Sequence, residues 1–220
     1  MLFAIASLVL STILMTQADV DNILSDVTNF EPLSEELYIF DVTSDAPVAE
    51  LKGALESAGV EVRHRFKVIG THQYFFVVVD DGSDALSQLT FPEDSLVTQY
   101  PVEHWADFFE MVGAGDWNEE DTAEGLVDKD LLVIIWEFVF PEGSSTSQLK
   151  SEMKAMANAF KKPAQKVHSV HYSVVGRNPP KLYAFMNLDE NSMQKANLDG
   201  LDAAGGPGNN VVSMLRLCKV

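Results

Sequence analysis

Two apolar runs in this chain match each other in composition and in the segments that come after them. This internal repetition narrows the possible folds more than any single motif does. The first run reads Leu37-Tyr38-Ile39-Phe40-Asp41-Val42 and the second spans Leu131 to Phe140. Phe40-Asp41-Val42 falls on Trp136-Glu137-Phe138, so one carboxylate interrupts each run at the same place. Both runs have the length and the aromatic and β-branched content of strands.

The segments after each run repeat as well. In the first half, Asp45 and Pro47 open a helix whose apolar stripe is Val48, Leu51, Leu55 and Ala58, closed by Gly59. Val60–Val68 alternates as a strand, Gly70 turns it into the apolar run Tyr74–Asp80, a short helix surrounds Ala85–Leu89, and Leu96–Val102 is a fourth strand. The order is β-α-β-β-α-β. In the second half, Ser145-Thr146-Ser147-Gln148 is a capping box before a helix burying Leu149, Met153, Met156 and Phe160. Its lysines, Lys150, Lys154 and Lys161, read as solvated surface. Strands are expected at Val167–Val175, Leu182–Leu188 and 211–218, with Gly176, Pro179-Pro180 and Gly205-Gly206-Pro207-Gly208 at the turns. Between the halves, residues 104–130 read as a linker with an acidic stretch. It fails as a calcium loop, because Asp121 stands where the sixth-position Gly belongs and Val127 where the twelfth-position Glu belongs.

Two such units in tandem resemble the dimeric α+β-barrel superfamily, here with both halves in one chain. Besides the element order, the resemblance rests on Val68-Ile69-Gly70 against Val174-Val175-Gly176, and on Phe75–Asp81 against Tyr183–Asp189. It implies an α+β fold of tandem ferredoxin-like repeats, 33–103 and 131–220, forming an intramolecular barrel. It implies no particular catalytic residue.

Composition sets outer limits. A formal charge of −18 argues against nucleic acid and against anionic membranes as partners. Residues 2–15 are mostly apolar, and no charged side chain appears before Asp19. That run has the length of a signal-peptide core, and Thr16-Gln17-Ala18 offers a cleavage site after Ala18. The expectation is therefore a signal peptide over 1–18 and a protein secreted or held in the secretory-pathway lumen, with an uncleaved membrane anchor as the rival reading. Val20, Ile23, Leu24, Val27 and Phe30 recur at helical spacing, giving an N-terminal helix within 19–32. With one cysteine, Cys218, no internal disulfide can form, and its apolar neighbours Leu215 and Leu217 favour the expectation of a buried, inert thiol over one that pairs between molecules.

Alternation assigns faces to the strands. On the second strand Val62, His64, Phe66 and Val68 share one face, expected beneath the helices, while Glu61, Arg63, Arg65 and Lys67 share the other. Aligning the closing glycines puts Arg65 on His171, so the polar face recurs in the second half. Asp41 and Glu137, single carboxylates in central strands, need hydration or pairing. One reading gathers Glu137, His171 and Asp41 as acid–base groups in an interior pocket, with Arg63, Arg65 and Tyr183 as ligand contacts. The other makes the same residues a salt-bridged or hydrated layer closing the barrel. His168 and His171 point to opposite faces of a strand and cannot both bind one metal. No nucleophile elbow or dinucleotide fingerprint occurs, so neither metal nor cofactor is expected. The resulting expectation is a small-molecule enzyme of isomerase, cyclase or cofactor-independent oxygenase type, acting on a small organic molecule as monomer or homodimer. A non-catalytic ligand- or protein-binding module is the alternative.

Overall fold

The computed structural model describes residues 36–105, 113, 125–138, 147, 151, 154–155, 158, 168–175, 181–189, 191–192, 195 and 210–220. The expected leader, the N-terminal helix, the acidic stretch of the linker and the Gly176 and Gly205–Gly208 turns lie outside these residues. The elements are β1 (Glu36–Thr43), α1 (Val48–Ala58), β2 (Glu61–Val68), β3 (Gln73–Asp80), α2 (Ala85–Gln88), β4 (Leu96–His104), β5 (Leu131–Phe138), β6 (Ser169–Val174), β7 (Lys181–Asn187) and β8 (Asn210–Lys219). The described positions from Ser147 to Asn158 are also helical. Among the described residues, no helix is long and apolar enough to cross a membrane.

The strands close into one antiparallel barrel in the order β1-β3-β2-β8-β5-β7-β6-β4, with β4 returning to β1. The first four strands therefore lie as β4-β1-β3-β2 and the last four as β8-β5-β7-β6. Within each block the ladders are long: β1 and β3 pair over eight residues, β5 and β7 over seven. The blocks join at two short seams of three register pairs each. One sets Phe66–Val68 against Leu217–Lys219, and the other Val102–His104 against Tyr172–Val174.

Eight strands leave an interior just wide enough to be filled by side chains. Leu37, Ile39, Phe75, Val77, Val133, Tyr183 and Phe185 are among the apolar residues that fill it, with contributions from every strand. Phe185 sits at the centre. Its ring lies 4.7 Å from Phe66, 6.0 Å from Phe75 and 6.3 Å from Tyr172, so it ties both blocks together. At the end where β5 begins, Leu126 enters the same core. The Asn187 side chain holds the approach to it by accepting the Val127 N–H at 2.9 Å and donating to the Lys129 carbonyl at 2.9 Å.

The outer face of the first block is covered by α1, which packs Leu51 and Leu55 on Phe40, Val42, Phe76 and Val78. Gly59 ends α1 in the left-handed region at φ 73°, its N–H reaching back to the Glu56 carbonyl, as the sequence pattern requires.

β2 departs from expectation. Val62 opposes Val78 and His64 opposes Val77, so Arg63 is the extra residue of a β-bulge. One inserted residue reverses which face every later side chain occupies. Val62 therefore packs outside, against the α1 cluster, whereas Phe66 and Val68 turn inward. His64 stacks on Phe66 at 5.7 Å. Arg65 and Lys67, opposite Phe76 and Tyr74, face outward, contrary to the strict alternation read from the sequence.

A test of this packing is Phe185→Ala, expected to cost about 3–5 kcal/mol in urea unfolding, as for other buried Phe truncations. Leu96→Ala, on a residue 75% exposed, is expected to stay within about 0.5 kcal/mol. A Phe185→Ala penalty as small as that of Leu96→Ala would contradict a filled interior.

Candidate functional site

Three charged residues, Asp41, Glu137 and Lys181, gather at one end of the barrel interior. In β1, Leu37 and Ile39 point inward, so Asp41, two residues on, does too. In β5, Leu131, Val133 and Ile135 point inward, which puts Glu137 on the same face. Since every ladder is antiparallel, β1 and β5 run in the same direction round the closed barrel. Asp41 and Glu137 therefore sit at the same end of the interior, the end opposite Leu126.

The central group there is Lys181, the first residue of β7. It stands directly opposite Glu137, and its ammonium lies 3.0 Å from Glu137 Oε1. It also donates to the Tyr100 hydroxyl at 3.4 Å. The ammonium sits 4.7 Å from the centre of the Tyr100 ring and 5.2 Å from that of Tyr183. Lys181 is only 7% exposed, so its charge is held almost out of water, while the Glu137 side chain keeps 37% of its surface. Leaving an ammonium buried is tolerable only with a counter-charge and acceptors in place, and Glu137 and the two phenol rings supply them.

Asp41 completes the layer. Its Oδ1 accepts a hydrogen bond from Gln73 Nε2 at 2.8 Å. Burial raises its carboxyl above the ordinary value of 3.8, with the Gln73 hydrogen bond and the Lys181 charge pulling the other way. The layer thus contains one buried cation, one half-exposed carboxylate and one carboxyl whose pKa is raised by burial.

The structure brings together Asp41, Glu137 and Tyr183 of the residues singled out in the sequence. It does not bring the others to them. His171 opposes Ala184 between inward-facing Val170 and Tyr172, so it points out of the barrel, where it is buried and stacked on Trp105 at 4.7 Å. Arg65 is on the outer face, and Arg63 is the bulge residue. Arg65, opposite Phe76, and His171, opposite Ala184, both belong to the outer surface of the sheet. Lys181 escapes a reading of the sequence because Pro179-Pro180 marks the stretch as a turn. The signal is present all the same: matching Phe75 with Tyr183 also matches Gln73 with Lys181, the two partners of the paired carboxylates. Among the described residues, no group of three or more His, Cys, Asp and Glu could hold a metal ion.

No protein-family model matches the chain, and no curated protein does. Among solved structures, it is similar to a candidate monooxygenase from Lactobacillus acidophilus, at 5% identity and a TM-score of 0.46, over 84% of this chain and 96% of that one. It is also similar to a heme-binding protein from Thermus thermophilus, at 14% identity and a TM-score of 0.45, over 83% and 90%. At these scores neither protein's activity carries over to this chain.

Asp41 gives a pH test. A carboxyl whose folded pKa is raised binds its proton more tightly folded than unfolded, so its ionisation costs stability as pH rises. Relative to Asp41→Asn, the wild type is expected to lose stability as pH climbs from 3.8 through the raised folded value, then to level off. Urea midpoints of the two proteins measured across that window check it, and a gap moving the other way would contradict a buried Asp41.

Proposed function

We propose that this chain is a small-molecule-binding module built from two tandem ferredoxin-like units, with its site at the Lys181 end of the barrel. The carrying observation is the Lys181 ammonium, nearly fully buried, between Glu137 and the Tyr100 and Tyr183 rings. The tandem reading is supported by the common strand order of the two blocks and by the matched pairs Asp41–Gln73 and Glu137–Lys181.

The layer has what a ligand site needs: a few converging polar groups over an apolar floor of Tyr183, Phe75 and Ile39. An ammonium has three N–H donors, and two are spent on Glu137 and Tyr100, which leaves one for an acceptor on the ligand. Asp41 uses Oδ1 toward Gln73, and its second oxygen can meet a ligand hydrogen. With two carboxylates beside one cation, a neutral molecule bearing an adjacent donor and acceptor fits better than an anion. Because rings fill the middle of the barrel, such a molecule binds at the mouth and not in a deep cavity between the halves.

A second reading makes the same site catalytic, with Asp41 as proton acceptor and Lys181 stabilising the charge left on the substrate. It rests on the raised carboxyl of Asp41. His171, on the other face of the sheet, has no part in it.

Thermal-shift screening of neutral polar organic compounds, followed by calorimetry, tests the reading. Stabilising compounds are expected to lose at least tenfold in affinity in both Lys181→Met and Asp41→Asn, a loss of about 1.4 kcal/mol. They are expected to bind Arg65→Gln like wild type. Compounds that bind all of these variants equally would place the site elsewhere. Turnover abolished by Asp41→Asn would select the catalytic reading.

A further inference from the structure

Among the described residues, Lys181 is the one buried lysine. Lys52 and Lys67 are half-buried, and Lys129, Lys154, Lys195 and Lys219 are exposed. An amine held out of water can act as a nucleophile, where a solvated ammonium acts only as a charge. Its neighbours decide what it can attack.

The ion pair with Glu137 places a proton acceptor 3.0 Å from the ammonium. Passing one proton across that contact leaves a neutral amine beside a neutral carboxylic acid, so no lone charge is stranded inside the barrel. Asp41 is near enough for the Lys181 charge to act on its carboxyl, while Gln73 fixes one of its oxygens at 2.8 Å. One carboxyl is thus placed to carry protons for the amine, and the other to hold a hydroxyl of whatever the amine meets.

We propose that Lys181 forms a Schiff base with a small aldehyde or ketone that carries a hydroxyl on the neighbouring carbon. The proposal rests on the reading of this end of the barrel as a ligand site, and it names the class of ligand. Such a compound is neutral, with an acceptor and a donor side by side: its carbonyl faces Lys181 and its hydroxyl faces Asp41. The step balances on the groups present. Glu137 takes a proton from the ammonium, and the freed lone pair on nitrogen attacks the carbonyl carbon while the π electrons move to oxygen. Glu137 then relays protons from nitrogen to oxygen until the oxygen leaves as water and the carbon–nitrogen double bond forms. The iminium carries the same positive charge as the ammonium it replaces. Glu137 and the Tyr100 and Tyr183 rings, centred 4.7 and 5.2 Å from the nitrogen, therefore stabilise both states alike. With Lys181 only 7% exposed, little water reaches the double bond to reverse the step.

Dihydroxyacetone, a neutral ketone flanked by hydroxyls, is the probe. The full chain is incubated with it and cyanoborohydride, and the labelled lysines are mapped by mass spectrometry. Reduction is expected to fix the adduct at Lys181 at least tenfold faster than at any exposed lysine. Lys181→Arg, which keeps a cation opposite Glu137, is expected to lose that label and keep the wild-type circular dichroism. Asp41→Asn is expected to slow the labelling at least tenfold. Label spread over the surface lysines with no preference for Lys181 overturns the proposal, as does Asp41→Asn labelled at the wild-type rate. Calorimetry without reductant, using dihydroxyacetone and then glycerol, which lacks the carbonyl, tells this failure from that of the underlying reading. Binding that is lost in Lys181→Arg, with Lys181 unlabelled, overturns the Schiff base alone. If neither compound binds and Lys181 stays unlabelled, the hydroxyl-bearing ligand assigned to this end falls with it.

Discussion

An eight-stranded barrel has an interior that side chains alone can fill, and the rest of this molecule is shaped by that constraint. Every strand must send apolar groups inward, and the ring cluster around Phe185 shows how completely they occupy the middle. Charged groups can then survive inside only near an end, where one side remains in reach of water. Asp41, Glu137 and Lys181 occupy such an end, and Leu126 closes the other. The ion pair between Lys181 and Glu137 is therefore a consequence of barrel geometry as much as of local sequence. Removing one partner strands the other in a setting that cannot hydrate it fully.

The same constraint bears on where a ligand can sit. A deep pocket between the halves would need small side chains where Phe66, Phe75, Tyr183 and Phe185 stand. With the centre filled, the proposed binding, and any proton transfer, would fall at the mouth. There the roles divide by environment: the half-exposed Glu137 balances the lysine, while burial raises the pKa of the Asp41 carboxyl. Acid–base chemistry at His171 has no geometric basis, because a strand turns alternate residues to opposite sides and His171 takes the outer one.

Much of this architecture is legible in the residues. The alternation in Leu37–Val42 and in Leu131–Phe138 places Asp41 and Glu137 at matching positions, and the αL glycine at 59 and the stripe of α1 are plain. What stays hidden depends on pairing rather than on periodicity. A bulge leaves no mark in a pattern as regular as Val60–Val68, yet it moves His64 and Phe66 inward and Arg65 and Lys67 outward. Lys181 is hidden for a related reason. Its importance comes from standing opposite Glu137 on a neighbouring strand, and register is not visible in one segment read alone.

The coupling of Glu137 and Lys181 anchors the polar end of the barrel, and a double-mutant cycle measures it directly. Stabilities of wild type, Glu137→Gln, Lys181→Met and the double variant are compared by urea unfolding at neutral pH. The expected coupling is favourable, between about 0.5 and 3 kcal/mol, with Glu137→Gln the costlier single change because it leaves the buried ammonium without its counter-charge. Single effects that add to within about 0.3 kcal/mol would mean that the pair does not anchor this end of the barrel.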